Sequence, residues 1–173
     1  MRTLSFCAVL ALASMIAAAA ACQASGPRVA AARHVAAAYV AADTAGRWRT
    51  ADSLVNWRGC DFDPATDYLQ LTTAARVSDA AVRGDTVDVT VEYDVLGRAW
   101  SYDRKRAGET NWRFTAGRRT DKLVLHVLPT AKPPIVCGEY QPNHVALSQM
   151  SKEIAHMDDS SRTALEQARR SPR

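Results

Sequence analysis

Five apolar side chains at every second position, Val87, Val89, Val91, Tyr93 and Val95, alternate with Asp88, Thr90, Glu92 and Asp94. Successive side chains of an extended strand leave on opposite sides, so this segment has one apolar side and one wet side. Such a strand belongs to an antiparallel sheet with a single covered face. Gly84-Asp85 supplies the turn before it, and Tyr68 to Val82 reads as a long strand or a strand with a bulge. Two further strands are predicted at Asn111 to Ala116 and Asp121 to Leu128, separated by Gly117-Arg118-Arg119. Pro129, Pro133 and Pro134 close the sheet region, and Ile135 to Glu139 reads as a last strand.

Helical periodicity brackets these strands. From Arg28 to Ala45 the chain is rich in alanine, and Ala32, Val35, Tyr39 and Ala42 fall on one helix face. Gly46 follows as a left-handed cap. Trp48, Ala51, Leu54 and Val55 repeat at helical intervals, which predicts a second, shorter helix before a loop from Cys60 to Asp67. The helical period returns with Leu147, Met150, Ile154 and Met157, and Ser160 or Ser161 caps a short helix through Gln167. The expected class is α+β, with N-terminal helices on an antiparallel sheet and an added C-terminal helix.

The N-terminus carries an address. Met1-Arg2-Thr3 has one positive charge, the run from Leu4 to Ala21 is apolar, and small residues precede Cys22. That pattern is a secretory signal. It resembles the signal of bacterial lipoproteins, with Ala19-Ala20-Ala21-Cys22 as the lipobox, although leucine is usual at its first position. The resemblance implies a lipid such as palmitate on Cys22, cleavage that leaves Cys22 first, and attachment to the cell envelope. Gln23, being other than aspartate, implies sorting to an outer membrane facing the periplasm. Ordinary cleavage after Ala21 or Ala24 stays open. Residues 1–21 are then the signal peptide and 22–27 a tether.

Export also sets the redox state. Of four cysteines, Cys7 leaves with the signal and Cys22 takes the lipid, so Cys60 and Cys137 are left to pair. Closing a loop of that length is worth about 4 kcal/mol in the chain-entropy description. The remaining chain has the length of one domain. Its isoelectric point is near 9.0, but an exported protein does not meet nucleic acid, and anionic lipid or polysaccharide is the more suitable partner.

Paired helices followed by a meander of long strands resemble the nuclear transport factor 2-like superfamily. The resemblance rests on Val35 to Trp48, on the hairpin Val77 to Gly97 with VRGDTVDVTVEYDVLG, and on VCGEYQPNHVAL from Val136 to Leu147. It covers most of residues 28–147 and leaves 148–173 as a C-terminal extension. It implies a strongly bent, cone-like sheet enclosing a pocket that members use for hydrolysis, isomerisation, dehydration or plain binding. It also leaves a homodimer open.

Catalysis in such a cone needs a carboxylate or imidazole at an inward position, displaced from its ordinary pKa. Tyr39 and Asp43 stand one turn apart on the first helix, and Tyr93 and His126 lie on strands, so these four are the candidate pocket residues. None forms a recognisable catalytic constellation. His144 follows Pro142-Asn143 and reads as a solvated turn residue. No His-x-x-x-His pair or glycine-rich phosphate loop is present, and Asp61, Asp63 and Asp67 lack the glycine and glutamate of a calcium loop. No cofactor and no metal is expected. Arg104, Lys105 and Arg106 head a basic region that also holds Arg98, Arg113, Arg118, Arg119 and Lys122, interleaved with Trp100, Tyr102 and Trp112, which predicts an anion-binding face. The functional expectation is a lipid-anchored, non-catalytic binding or scaffold domain with a small apolar pocket. The alternative is an isomerase, dehydratase or hydrolase using that pocket.

Overall fold

The computed structural model describes residues 26–55, 68–106, 109–138, 144–150, 154 and 156–171. Helix α1 covers residues 26–44, and α2 is Trp48–Ser53. Five strands follow: β1 Tyr68–Arg83, β2 Thr86–Arg106, β3 Glu109–Leu128, β4 Ile135–Gly138 and β5 His144–Ala146. A 3-10 turn at Leu147–Met150 leads toward helix α3, Asp159–Arg170. The sheet order is β4-β3-β2-β1-β5. All pairs are antiparallel except β5, which runs parallel to β1, so the sheet is mixed where an antiparallel one was expected. The fold is α+β and cone-like, as read from the sequence.

Helix α1 ends as its glycine requires. Gly46 takes φ +66°, its N–H donates to Asp43 O at 2.8 Å, and Arg47 N–H donates to Ala42 O at 2.9 Å. This pair of bonds is the Schellman closure, which only a residue tolerant of the left-handed region completes without strain. Ala32, Val35, Tyr39 and Ala42 are all buried, as their spacing predicts.

The sheet is bent by bulges that also decide which side is buried. Register with β1 passes from Thr72↔Val95 to Leu71↔Gly97, so Leu96 is an extra residue in β2. Up to Val95 the apolar side of β2 faces α1: Val87, Val89, Val91, Tyr93 and Val95 join Leu125, Val127, Val136 and the helix residues in one core. Beyond Leu96 the buried set lies on the other side. There Leu69, Leu71, Leu96, Ala99 and Phe114 pack against Met157, Leu165 and Ala168. Two cores therefore sit on opposite sides of one sheet.

Gly97 stands at the crossover. A Cβ there would come within 2.2 Å of Thr115 O and 2.7 Å of the Phe114 ring. The side chain is absent because the sheet folds onto itself at this point.

Three expectations are corrected. Gly117-Arg118-Arg119 does not separate two strands; β3 runs unbroken through it, because Gly117 has no positive φ and Arg119 is anchored to neighbouring strands. His144 is not in a solvated turn but in β5, 1% exposed. Within the helix expected from Ala146, Leu147–Met150 form a 3-10 turn and Ile154 is helical, while the short helix α3 forms where predicted but is capped not by Ser160 or Ser161 but by Asp158, whose carboxylate accepts from Ser161 N–H at 2.7 Å. The signal, Cys22, Cys60 and Asp61 to Asp67 lie outside the described residues.

Candidate functional site

The register of β1, β2, β3 and β5 puts a set of polar side chains on the α1 side of the sheet, just where the core changes sides. Gln70 pairs with His144, and Tyr93 pairs with Asp121. Arg119, two residues from Asp121, shares their side. Asp43 enters from above, in the last turn of α1.

His144 is the centre of the cluster. Its ring stacks on Tyr93 with centroids 3.8 Å apart and 15° between planes. Its backbone N–H donates to Asp43 Oδ2 at 3.3 Å. Nδ1 lies 3.8 Å from the same oxygen, and Nε2 lies 3.8 Å from Asp121 Oδ2. Both gaps exceed hydrogen-bond length. Among the described residues, neither ring nitrogen has a hydrogen-bond partner, nor does the Tyr93 hydroxyl. Asp121 is gripped by Arg119 through Nε at 2.7 Å and Nη2 at 2.9 Å, and the same Nη2 donates to Gln70 Oε1 at 2.6 Å.

Burial sets the protonation. Asp43 is 3% exposed, and desolvation pushes its pKa from 3.8 to about 7, with Asp52 adding to the rise and the His144 N–H opposing it. Desolvation lowers the His144 imidazole, against the pull of Asp121. Asp121, with 21% of its side chain exposed, is held below the usual carboxylate range by His144 and Arg119. Burial and the nearby Asp43 raise both Tyr39 and Tyr93. Below about pH 7 Asp43 therefore keeps its proton, burial disfavours charge on the imidazole beside it, and the permanent charges are confined to the Arg119–Asp121 pair.

Three of the four pocket residues read from the sequence converge here: Tyr39, Asp43 and Tyr93. His126 does not. It pairs with Asp88 on the wet side of the sheet, Nδ1 to Oδ1 at 2.6 Å, with 44% of its side chain exposed. The alternation that buries Leu125 and Val127 turns the residue between them outward. His144, Asp121, Arg119 and Gln70 were missed as site residues. Val145-Ala146-Leu147 after His144 is the only hint of a strand there, and a parallel edge strand of three residues leaves little periodicity to read.

The basic region is dispersed by the fold. Arg118 donates to Ala168 O at the end of α3, Arg119 belongs to the buried cluster, and Lys122 pairs with Glu92 at 2.9 Å. Arg98 lies over the Tyr68 ring at 5.0 Å. Arg104, Lys105 and Arg106 end β2, and their side chains lie outside the described residues.

A cavity of about 290 Å³ reaches the margin of the cluster at Arg119, beside Asp94 and Thr120, and the grooves with apolar lining lie elsewhere. A groove of about 400 Å³ runs between α1 and the outer edge of β1, lined by Ala37, Val40, Ala41 and Thr44 with Thr72 to Val77. A second, of about 510 Å³, shares Thr72, Thr73 and Ala146 with it. Among the described residues no group of three or more metal-ligating side chains is gathered, and no helix is long and apolar enough to cross a membrane. Compared with known proteins, the chain matches no family model, no curated protein and no solved structure.

Proposed function

We propose that the protein is exported, tethered to the cell envelope through a lipid on Cys22, and acts as a non-catalytic binding or scaffold domain. The observation that carries the non-catalytic part is the sealing of the polar cluster: Asp43, Tyr93 and His144 are 3%, 0% and 1% exposed, and the grooves described above are lined by other residues. An enzyme of this fold needs its acid and base in a cavity that admits substrate. Here Tyr93 and the helix side chains fill that space. The apolar room belongs to the groove beside β1, which we take as the docking surface.

The pairing of Cys60 with Cys137 is part of the proposal. Val55 bridges Val136, and Val136 N–H donates to Leu54 O at 2.8 Å, so the chain enters the segment that holds Cys60 alongside β4. Cys137 is not a free thiol.

Native and tryptic mass spectrometry of protein purified from its own membrane tests all three parts. The expected result is an acylated peptide beginning at Cys22, a disulfide-linked Cys60/Cys137 pair, and no turnover product. An uncleaved leader or an unmodified Cys22 would overturn the tether. A co-purified molecule chemically altered by the protein in a manner lost on H144A would overturn the non-catalytic reading.

A further inference from the structure

Strand β5 covers the outer edge of β1 only from Gln70 to Thr72. From Thr73 to Arg83 no described strand lies on that edge. Sheet proteins ordinarily blunt such edges, since a long one presents unpaired backbone groups to any extended chain. This edge is made mostly of small side chains: Thr73, Ala74, Ala75, Ser78, Ala80 and Ala81. The groove lined by α1 runs beside its first half.

We propose that this edge is where two copies of the chain associate, β1 against β1, antiparallel across a two-fold axis, forming one continuous sheet. The proposal rests on reading the groove as a docking surface and is independent of the lipid tether.

Charge and register both fit a second copy. Asp79 has no cation within ion-pair distance among the described residues; its carboxylate accepts the N–H of Ala80 at 2.8 Å. Setting Arg76 of one copy opposite Asp79 of the other gives two symmetric cross-strand pairs. The same alignment sets Ala75 opposite Ala80 and Ala74 opposite Ala81.

Residues three apart in a regular strand point to opposite sides, and this pairing would fail. The bulge at Ser78 removes the problem. Arg76 pairs with Glu92 and Asp79 with Thr90, both on the wet side of β2. Ala75 pairs with Tyr93 and Ala80 with Val89, both on the α1 side. Opposed residues of the two copies therefore share a side at each of these positions. Arg76 contacts Glu92 and Asp94 of β2 on the wet side with half its side chain still exposed, so pairing with the second Asp79 turns its guanidinium from β2 toward the free edge.

Sedimentation of the purified full chain tests the proposal. The wild type is expected to dimerise, D79R to weaken the dimer about tenfold or more, and the swapped double variant R76D/D79R to restore it. Circular dichroism on each variant separates lost pairing from lost folding. Independently of the charges, oxidation of A74C/A81C should give a covalent dimer that A74C alone does not. A monomeric wild type, a D79R dimer of unchanged affinity, or no cross-link from the cysteine pair would overturn self-pairing. A monomer whose groove holds a small apolar molecule would do so while leaving the docking reading of the groove intact.

Discussion

The two cores that share this sheet are built differently. The one under α1 contains Tyr93, Leu125, Val127 and Val136, yet it also buries Asp43, Gln70, Thr72 and His144 at 3%, 3%, 1% and 1% exposure. The one under α3 is made of Leu69, Leu71, Phe114, Met150, Met157 and Leu165, and its buried polar residue, Ser161, spends its hydroxyl on the Phe114 N–H at 3.0 Å. A buried hydroxyl with a backbone partner stabilises a core modestly. A buried carboxyl beside an imidazole with no bonded ring nitrogen weakens one, unless a proton removes the charge. The comparison shows that apolar burial holds both halves together, and that a buried titrating carboxyl lies in only one of them.

The largest expected effect follows from that asymmetry. Asp43 binds its proton with a pKa of about 7 when folded against 3.8 as a free side chain. Below about pH 4 the carboxyl is protonated in both states and its burial is inexpensive. Between pH 4 and 7 the unfolded chain ionises while the folded chain stays protonated, so stability is lost as pH rises and levels off above 7. The full difference is roughly 4 kcal/mol. Asp43→Asn keeps an oxygen for the His144 N–H and removes the titration. Its stability relative to wild type, from urea unfolding at pH 4, 6 and 8, should rise with pH toward that figure. His144 contributes with the opposite sign, losing stability as pH falls below its ordinary range, but does so in both proteins. A difference that stays flat from pH 4 to 8 would show that Asp43 is not the titrating group.

How legible this was depends on the period of each segment. Five alternating apolar positions in β2 and four helical ones in α1 announce their elements because each has a single covered face. The expected class and the burial of Tyr39, Asp43 and Tyr93 follow from those two patterns. His144 and Asp121 were unreadable as a pair because they meet only through the sheet order β3-β2-β1-β5, in which the last strand contributes three residues. Nor does alternation reveal a change of sides. Val95 and Leu96 are both buried, which in sequence looks like an interruption of the strand and in the fold is a bulge.

That bulge supplies the next test, since it joins the two cores. Gly97→Ala puts a methyl within 2.2 Å of Thr115 O, a backbone atom that cannot rotate away. Relief requires β2 and β3 to part, which would loosen the Phe114 side and the Val95 side together. The expected cost is about 3 kcal/mol. It should appear as one cooperative transition at lower urea, with no change in the pH response, because the substitution neither adds nor removes a titrating group. Two separated transitions would mean that the cores unfold independently and that the bulge does not couple them.

The smallest effect sharpens the contrast from the other half. Ser161→Ala leaves the Phe114 N–H facing a methyl group inside the α3 core, and an unsatisfied buried amide of this kind costs about 2 kcal/mol. The Asp158 cap on the Ser161 backbone N–H is untouched by the substitution, so α3 keeps its start and the loss belongs to the strand contact. Because Ser161 does not titrate, the penalty should be equal at pH 4 and pH 8, where Asp43→Asn differs most from wild type. Should the Ser161→Ala penalty grow with pH instead, the buried proton near His144 would have to sense α3 through the sheet, and the division into one pH-responsive and one pH-silent core would fail.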